Sequence, residues 1–185
     1  MPAPKLILTL GAKRLLAGLA LLVALGAGVG LYLFEGGFDV AAAQDDGQAF
    51  TWAVHSVMIH SVEARAAATP APRAFTPAQV QAGFEIYDRD CAVCHGAPGV
   101  ARASWVSGMN PTPPYLMDSA RHWSASDLGR IVRDGVRMTG MPAWRGTLTQ
   151  AQVWDVVAFL EVLPDTSPQA YARRRLAQKA PRPGA

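Results

Sequence analysis

Two cysteines stand three positions apart in this chain of 185 residues, and a histidine follows the second: Cys91-Ala92-Val93-Cys94-His95. They are the only cysteines in the chain. Two are too few for a disulfide framework. A structural zinc site needs further thiolates or imidazoles at close spacing, and none accompanies this pair. A redox dithiol belongs in a strand-then-helix setting, and the surrounding residues carry no run of strands.

The pattern is that of covalent haem c attachment. Two thiols separated by two residues at a helix end can reach the two vinyl groups on one edge of a porphyrin. The next residue then projects toward the metal, where an imidazole nitrogen can bind. Cys91 and Cys94 are thus expected to hold one haem, with His95 an axial iron ligand.

Residues Leu15 to Phe34 form an uncharged, mostly apolar run of 20. As a helix it would cover about 30 Å, the thickness of a bilayer core. Lys13 and Arg14 precede the run; Glu35 and Asp39 come after it. The basic end is expected to stay cytoplasmic, placing the rest of the chain outside a bacterial cytoplasmic membrane, on the periplasmic side. The competing reading is a cleaved signal peptide, with Ala41-Ala42-Ala43 as the small-residue site. Length favours an uncleaved anchor, because signal-peptide apolar regions run about 7–15 residues. The net charge is +3, but the excess of Lys and Arg lies at the two ends. No basic face in the middle points to nucleic acid.

The expected organisation is a cytoplasmic N-terminus over 1–14, an anchor over 15–34, a periplasmic helix and linker over 35–75, a compact all-α domain over 76–164 and a basic tail over 165–185. Phe50, Val54, Met58 and Val62 recur at helical spacing within 48–68, ahead of a Pro/Ala linker at 68–72. That helix either packs on its own domain or lies against a partner or lipid surface. Thr76 before Pro77 marks a helix over 77–90. Ser124 or Ser126 caps a helix over 125–134, and Thr149 caps a last one running to Leu163, stopped by Pro164. The Pro- and Gly-rich stretch 96–114 reads as loop. The tail from Asp165 reads as mobile, with one possible short helix after Ser167-Pro168.

Residues 76–164 resemble a class I cytochrome c domain. The resemblance rests on Gly83-x3-Tyr87-x3-Cys91-Ala-Val-Cys94-His95-Gly96, Pro114-Tyr115-Leu116, Gly140-Met141-Pro142-Ala143-Trp144, and a terminal helix with Trp154 and Phe159. More loosely, Phe38-Asp39-Val40-Ala41 and the helix with His55 and His60 look like membrane-anchored bacterial monohaem members. The resemblance implies an all-α fold around one haem with its first and last helices crossing, a contact that Gly83 would permit and beside which Tyr87 would pack. It also implies that the Pro114 carbonyl accepts the His95 Nδ1 proton, with Pro111 and Pro113 as nearby rivals.

The sixth ligand must come from across the haem, hence from a later stretch. Met109 and Met117 come soon after the motif and are expected on the His95 side. That leaves Met138 and Met141 in one Gly-bounded loop. Gly140 before Met141 and Pro142 after it match the family's Met-Pro element, so Met141 is favoured. His55 and His60 are five apart and cannot chelate one metal well. His122 reads as structural, Asp88 and Asp90 as solvated, and Trp105, Trp123 and Trp144 as either lining the haem crevice or packing in the core.

The expected function is one-electron transfer in a respiratory or photosynthetic chain, as free carrier or complex subunit, between redox partner proteins. The alternative is a haem-based binder or sensor of small ligands. An enzyme such as a peroxidase would need a second haem or a distal acid–base pair, and neither is visible.

Overall fold

The computed structural model describes residues 10–179 as helices and connecting turns, with no strand among them. The chain divides into two units, Met1–Gln44 and Asp45–Ala185. In the first, helix α1 (Leu10–Phe34) contains an apolar stretch, Gly11–Phe34, of mean hydropathy 2.2, none of it buried. At 1.5 Å per residue that stretch is about 36 Å long, enough to cross a bilayer.

The second unit contains α2 (Gln48–Ala66), α3 (Pro77–Ile86), α4 (Ala92–His95), α5 (Leu116–Ser119), α6 (Ala125–Asp134), α7 (Gln150–Val162) and α8 (Pro168–Lys179). Three of them start on reciprocal caps: Thr76 with Gln79, Ser124 with Asp127, and Thr149 with Gln152. In each, the hydroxyl accepts from the backbone N–H three residues on and the longer side chain accepts from the cap's own N–H. Two donors that helix geometry leaves orphaned are thereby satisfied. Ser126 is not the cap; its hydroxyl accepts from Ala71 N–H at 2.9 Å.

The core is the crossing of α3 and α7. Phe84, Tyr87, Val153, Val157, Phe159 and Leu163 are fully buried there. Phe84 meets Phe159 edge-on, with ring centroids 5.5 Å apart. Gly83 lies at the closest approach, against the backbone carbonyl of Asp155.

Two segments lie closer to the core than the sequence suggests. The C-terminal half of α2 packs against α6 through Val62 and Ala66, both buried. The linker after it is tied down as well, since Arg133 Nη1 donates to Thr69 Oγ1 at 3.0 Å. The start of α2 leaves Phe50, Trp52, Val54 and Val57 exposed. The tail carries helix α8 where a short helix after Ser167-Pro168 is expected, but it is docked and not loose: Tyr171 is 0% exposed. Its ring centroid lies 5.1 Å from that of Phe84. A buried aromatic of this size brings an apolar contribution of about 2 kcal/mol, which favours the docked helix.

Asp134, at the end of α6, gathers three arginines: Arg130 at 2.6 Å, Arg133 at 2.8 Å and Arg145 at 3.3 Å. Burial alone would raise its pKa, but the three guanidinium groups outweigh that and hold the carboxyl below its ordinary value. A carboxyl depressed on folding stabilises the protein above its unfolded pKa of about 3.9, and that contribution is lost as pH falls through the folded value. Asp134→Asn is therefore expected to lower unfolding free energy by about 1–2 kcal/mol at pH 7, since the site is only partly buried. The gap from the unsubstituted protein should narrow below about pH 3 in urea titrations. A gap that stays constant across that range would remove the ion cluster as its cause.

Candidate functional site

Helix α3 does not run straight into Cys91. A single π-helical turn, Tyr87–Cys91, comes after it, and α4 then carries Ala92–His95. Such turns insert an extra residue per turn and reorient the next stretch of chain; they recur at functional sites. Tyr87 spans the segment: its hydroxyl donates to the Gly96 carbonyl at 2.6 Å, and burial pushes its phenol far up. Gly96 has φ of 67° and a Cβ there would press on the Tyr115 ring at 3.0 Å, so glycine is required.

Both cysteines are free and half-buried. Burial, with the Asp90 carboxylate adding to it, pushes the Cys91 thiol up to about 12. With no metal bound it is a neutral thiol at physiological pH. His95 Nδ1 donates to the Pro114 carbonyl at 2.8 Å. Of the three prolines the sequence leaves open, Pro114 faces the ring, while the Pro113 carbonyl accepts from Arg102 Nη1 at 2.7 Å. Burial holds His95 below the ordinary imidazole range, so the ring is neutral near pH 7, with Nδ1 engaged and Nε2 left as a donor atom for a metal.

The loop between α6 and α7 is held from within. Val136 N–H donates to the Met141 carbonyl at 3.2 Å, and Met141 N–H donates to Thr139 Oγ1 at 3.0 Å. Gly135, with φ of 65°, lies so close that a Cβ would meet the Met141 carbonyl oxygen at 2.7 Å. Met141 is half-buried, whereas Met138 has φ of 62° and is 87% exposed. Met109 departs from expectation: its methyl lies against Gly140, where a Cβ would collide with it and would come 3.7 Å from its sulfur. The loop after the haem motif thus folds over to the Met141 loop.

The remaining candidates are dispersed. His55, His60 and His122 are exposed, and His60 Nδ1 lies 3.7 Å from Glu63. Trp123 and Trp144 pack against the core, while Trp105 is exposed. Asp88 is not solvated, as its sequence position suggests: it accepts from Tyr171 Oη at 2.8 Å and from Arg175 Nε at 3.1 Å. Helix α8 thereby braces the π-turn that leads into Cys91. Neither this brace nor Arg102 is apparent in the sequence, because their partners are remote in the chain.

The donor set suits a covalently held haem: two half-buried thiols on one helical turn, an imidazole oriented through its far nitrogen, and a constrained thioether. Among the described residues no group of three or more His, Cys, Asp or Glu could hold a bare metal ion. Residues 78–160 match the family described as "Cytochrome C oxidase, cbb3-type, subunit III". That span is a little under half of the chain. A curated relative, the quinohemoprotein alcohol dehydrogenase of Comamonas testosteroni, is 35% identical over 92 residues. The alignment covers 49% of this chain and 12% of that enzyme.

Fold, site and matches together define a c-type cytochrome domain, the class that carries electrons through haem iron. More particularly, the chain carries a class I c-type cytochrome domain within an all-α fold that has one apolar helix near its N-terminus.

Proposed function

We propose that this chain is a membrane-anchored monohaem cytochrome c that passes single electrons between partner proteins on the periplasmic side of the bacterial cytoplasmic membrane. It acts as a carrier and not as an enzyme in its own right. Cys91 and Cys94 would hold the haem covalently, and His95 and Met141 would ligate its iron. The observation that carries this reading is the 2.8 Å bond from His95 Nδ1 to the Pro114 carbonyl, one residue beyond the two free thiols.

When bound, the haem supplies a one-electron iron couple. The protein's part is to set where that couple lies. Nδ1–H donation to Pro114 fixes the imidazole plane and makes Nε2 a stronger donor. A methionine sulfur on the other side favours the reduced state, as does an apolar surrounding. The internal hydrogen bonds of the Met141 loop support a closed sixth position, which suits a carrier better than a sensor of small ligands. Residues 15–34 serve as anchor, 35–75 as periplasmic helix and linker, and 76–164 as the cytochrome domain. The matched family is an oxidase subunit and the matched relative a dehydrogenase. Both support a place in, or beside, a larger oxidoreductase complex.

The test is expression of the full chain in a host with c-type haem maturation. The pigment is expected to survive denaturation and acid extraction, to add the mass of one haem, and to stay in membranes after a high-salt wash. The paired substitution Cys91→Ala and Cys94→Ala should abolish the covalent pigment while the apoprotein still reaches the membrane. Haem that extracts freely would overturn the attachment. A soluble product starting near Gln44 would overturn the anchor.

A further inference from the structure

The residues around the Pro114 carbonyl are held by one side chain that neither the motif nor the matched family's description assigns. Arg102 Nη1 donates to the carbonyl of Pro113 at 2.7 Å. The guanidinium carbon of Arg102 lies 4.3 Å from the centroid of the Tyr115 ring. One side chain therefore engages both neighbours of Pro114. The base of Arg102 is itself fixed, because Ala103 N–H donates to the carbonyl of Val93, inside the cysteine pair, at 2.9 Å. The Tyr115 ring in turn rests on Gly96, next to His95.

We propose that Arg102 is the positioning residue for His95. It clamps the backbone on either side of Pro114 to the attachment turn, so that the carbonyl stays at hydrogen-bond distance from Nδ1. This rests on the reading of His95 as the iron ligand. The physical need is plain: Pro114 sits on an irregular segment with no helix or sheet to fix its carbonyl, and a ring hydrogen bond of this kind is sensitive to angle. A guanidinium can meet a carbonyl in its plane and a ring on its face at once. An ammonium carries the same charge but has no plane to lay on the ring, so it cannot hold both contacts in this geometry. The clamp thus depends on the shape of Arg102, and its charge acts separately on the haem potential.

That separation gives the test, made on the haem-loaded full chain. Arg102→Lys keeps the charge and loses the fork; Tyr115→Leu keeps Arg102 and loses the stacking face. Proton NMR of the reduced protein reads the exchange of the His95 Nδ1 proton, and redox titration reads the midpoint potential. Arg102→Lys is expected to speed Nδ1–H exchange about tenfold or more, in line with the loss of an outer-shell partner of a metal ligand. It should also raise the potential, because a weaker Nδ1 bond makes the imidazole a poorer donor. Tyr115→Leu should move both readings the same way by less. If either variant fails to load haem, the other decides. Exchange and potential that stay at the unsubstituted values would overturn the clamp. Absence of a ring-current-shifted His95 signal in the unsubstituted protein would instead refute His95 as the ligand, a distinct outcome.

Discussion

Gly83→Ala is expected to cost the domain about 2–4 kcal/mol, a large part of the 5–15 kcal/mol that holds a typical domain folded. The added Cβ would overlap the Asp155 carbonyl oxygen, stand 2.5 Å from its carbon and touch Phe159 Cβ at 3.0 Å. The obstruction is the backbone of α7, not the end of a flexible side chain. Relief requires the two helices to separate, and both carry the core: Phe84 and Tyr87 on one side, Val156 and Phe159 on the other, none more than 1% exposed. Overpacking typically costs about 1–3 kcal/mol even where side chains can yield. The better helix propensity of alanine returns up to about 1 kcal/mol. Urea unfolding of the haem-loaded protein measures the balance. Gly146→Ala serves as the control, because a Cβ there meets nothing within 4 Å. A Gly83→Ala protein as stable as that control would mean that the crossing is looser than described.

The parts of this molecule legible in its sequence are those whose cause is local. A helix cap needs only a hydroxyl and an acceptor three residues later, so Thr76 and Thr149 could be picked out before any tertiary contact was known, and the third cap narrowed to Ser124 or Ser126. The Cys91-x-x-Cys94-His95 pattern carries its signal within five residues. Helix α8 is the opposite case. Its one buried aromatic, Tyr171, stands among Arg173, Arg174 and Arg175, and such a stretch reads as a solvated tail. It becomes part of the core only because Phe84 and Phe159 supply a surface, and because Asp88, 83 residues earlier, accepts its hydroxyl. The π-turn is invisible for a related reason. Helical periodicity over 77–90 predicts a continuous helix, and the extra residue shows only in the backbone. Met109 comes soon after the motif in sequence, yet the loop folds back and delivers its methyl to Gly140. Distance along the chain is a poor guide inside a stretch rich in proline and glycine.

Met141→Ala is expected to change the iron more than any other substitution that leaves the haem attached. Three methionines compete for the role once the fold is considered. Met138 is 87% exposed and points from a residue with φ of 62°, so its sulfur is poorly placed to be held in a dry site. Met109 reaches Gly140 but belongs to the segment just after the motif, with its Ala103 backbone tied to Val93. Met141 has both its N–H and its carbonyl bound inside its own loop, as Met109 does through Val106 and Thr112, but Met141 also has Gly135 packed against it and Pro142 next in the chain, on the later stretch between α6 and α7. A ligand on a constrained loop loses little entropy on binding, which is what keeps a weak thioether bond closed. Its removal should abolish the thioether-to-ferric charge-transfer band and lower the midpoint potential by on the order of 0.1–0.2 V, within the ~0.8 V range that axial ligands span. The reduced protein should also bind carbon monoxide readily. Met138→Ala should leave the band, the potential and carbon monoxide resistance as they were. Met109→Ala should do the same, apart from a small loss of packing at Gly140. If the band instead vanishes in Met109→Ala and survives in Met141→Ala, the ligand is delivered by the loop just after the haem motif, and the hydrogen bonds around Met141 serve only to close the lid above it.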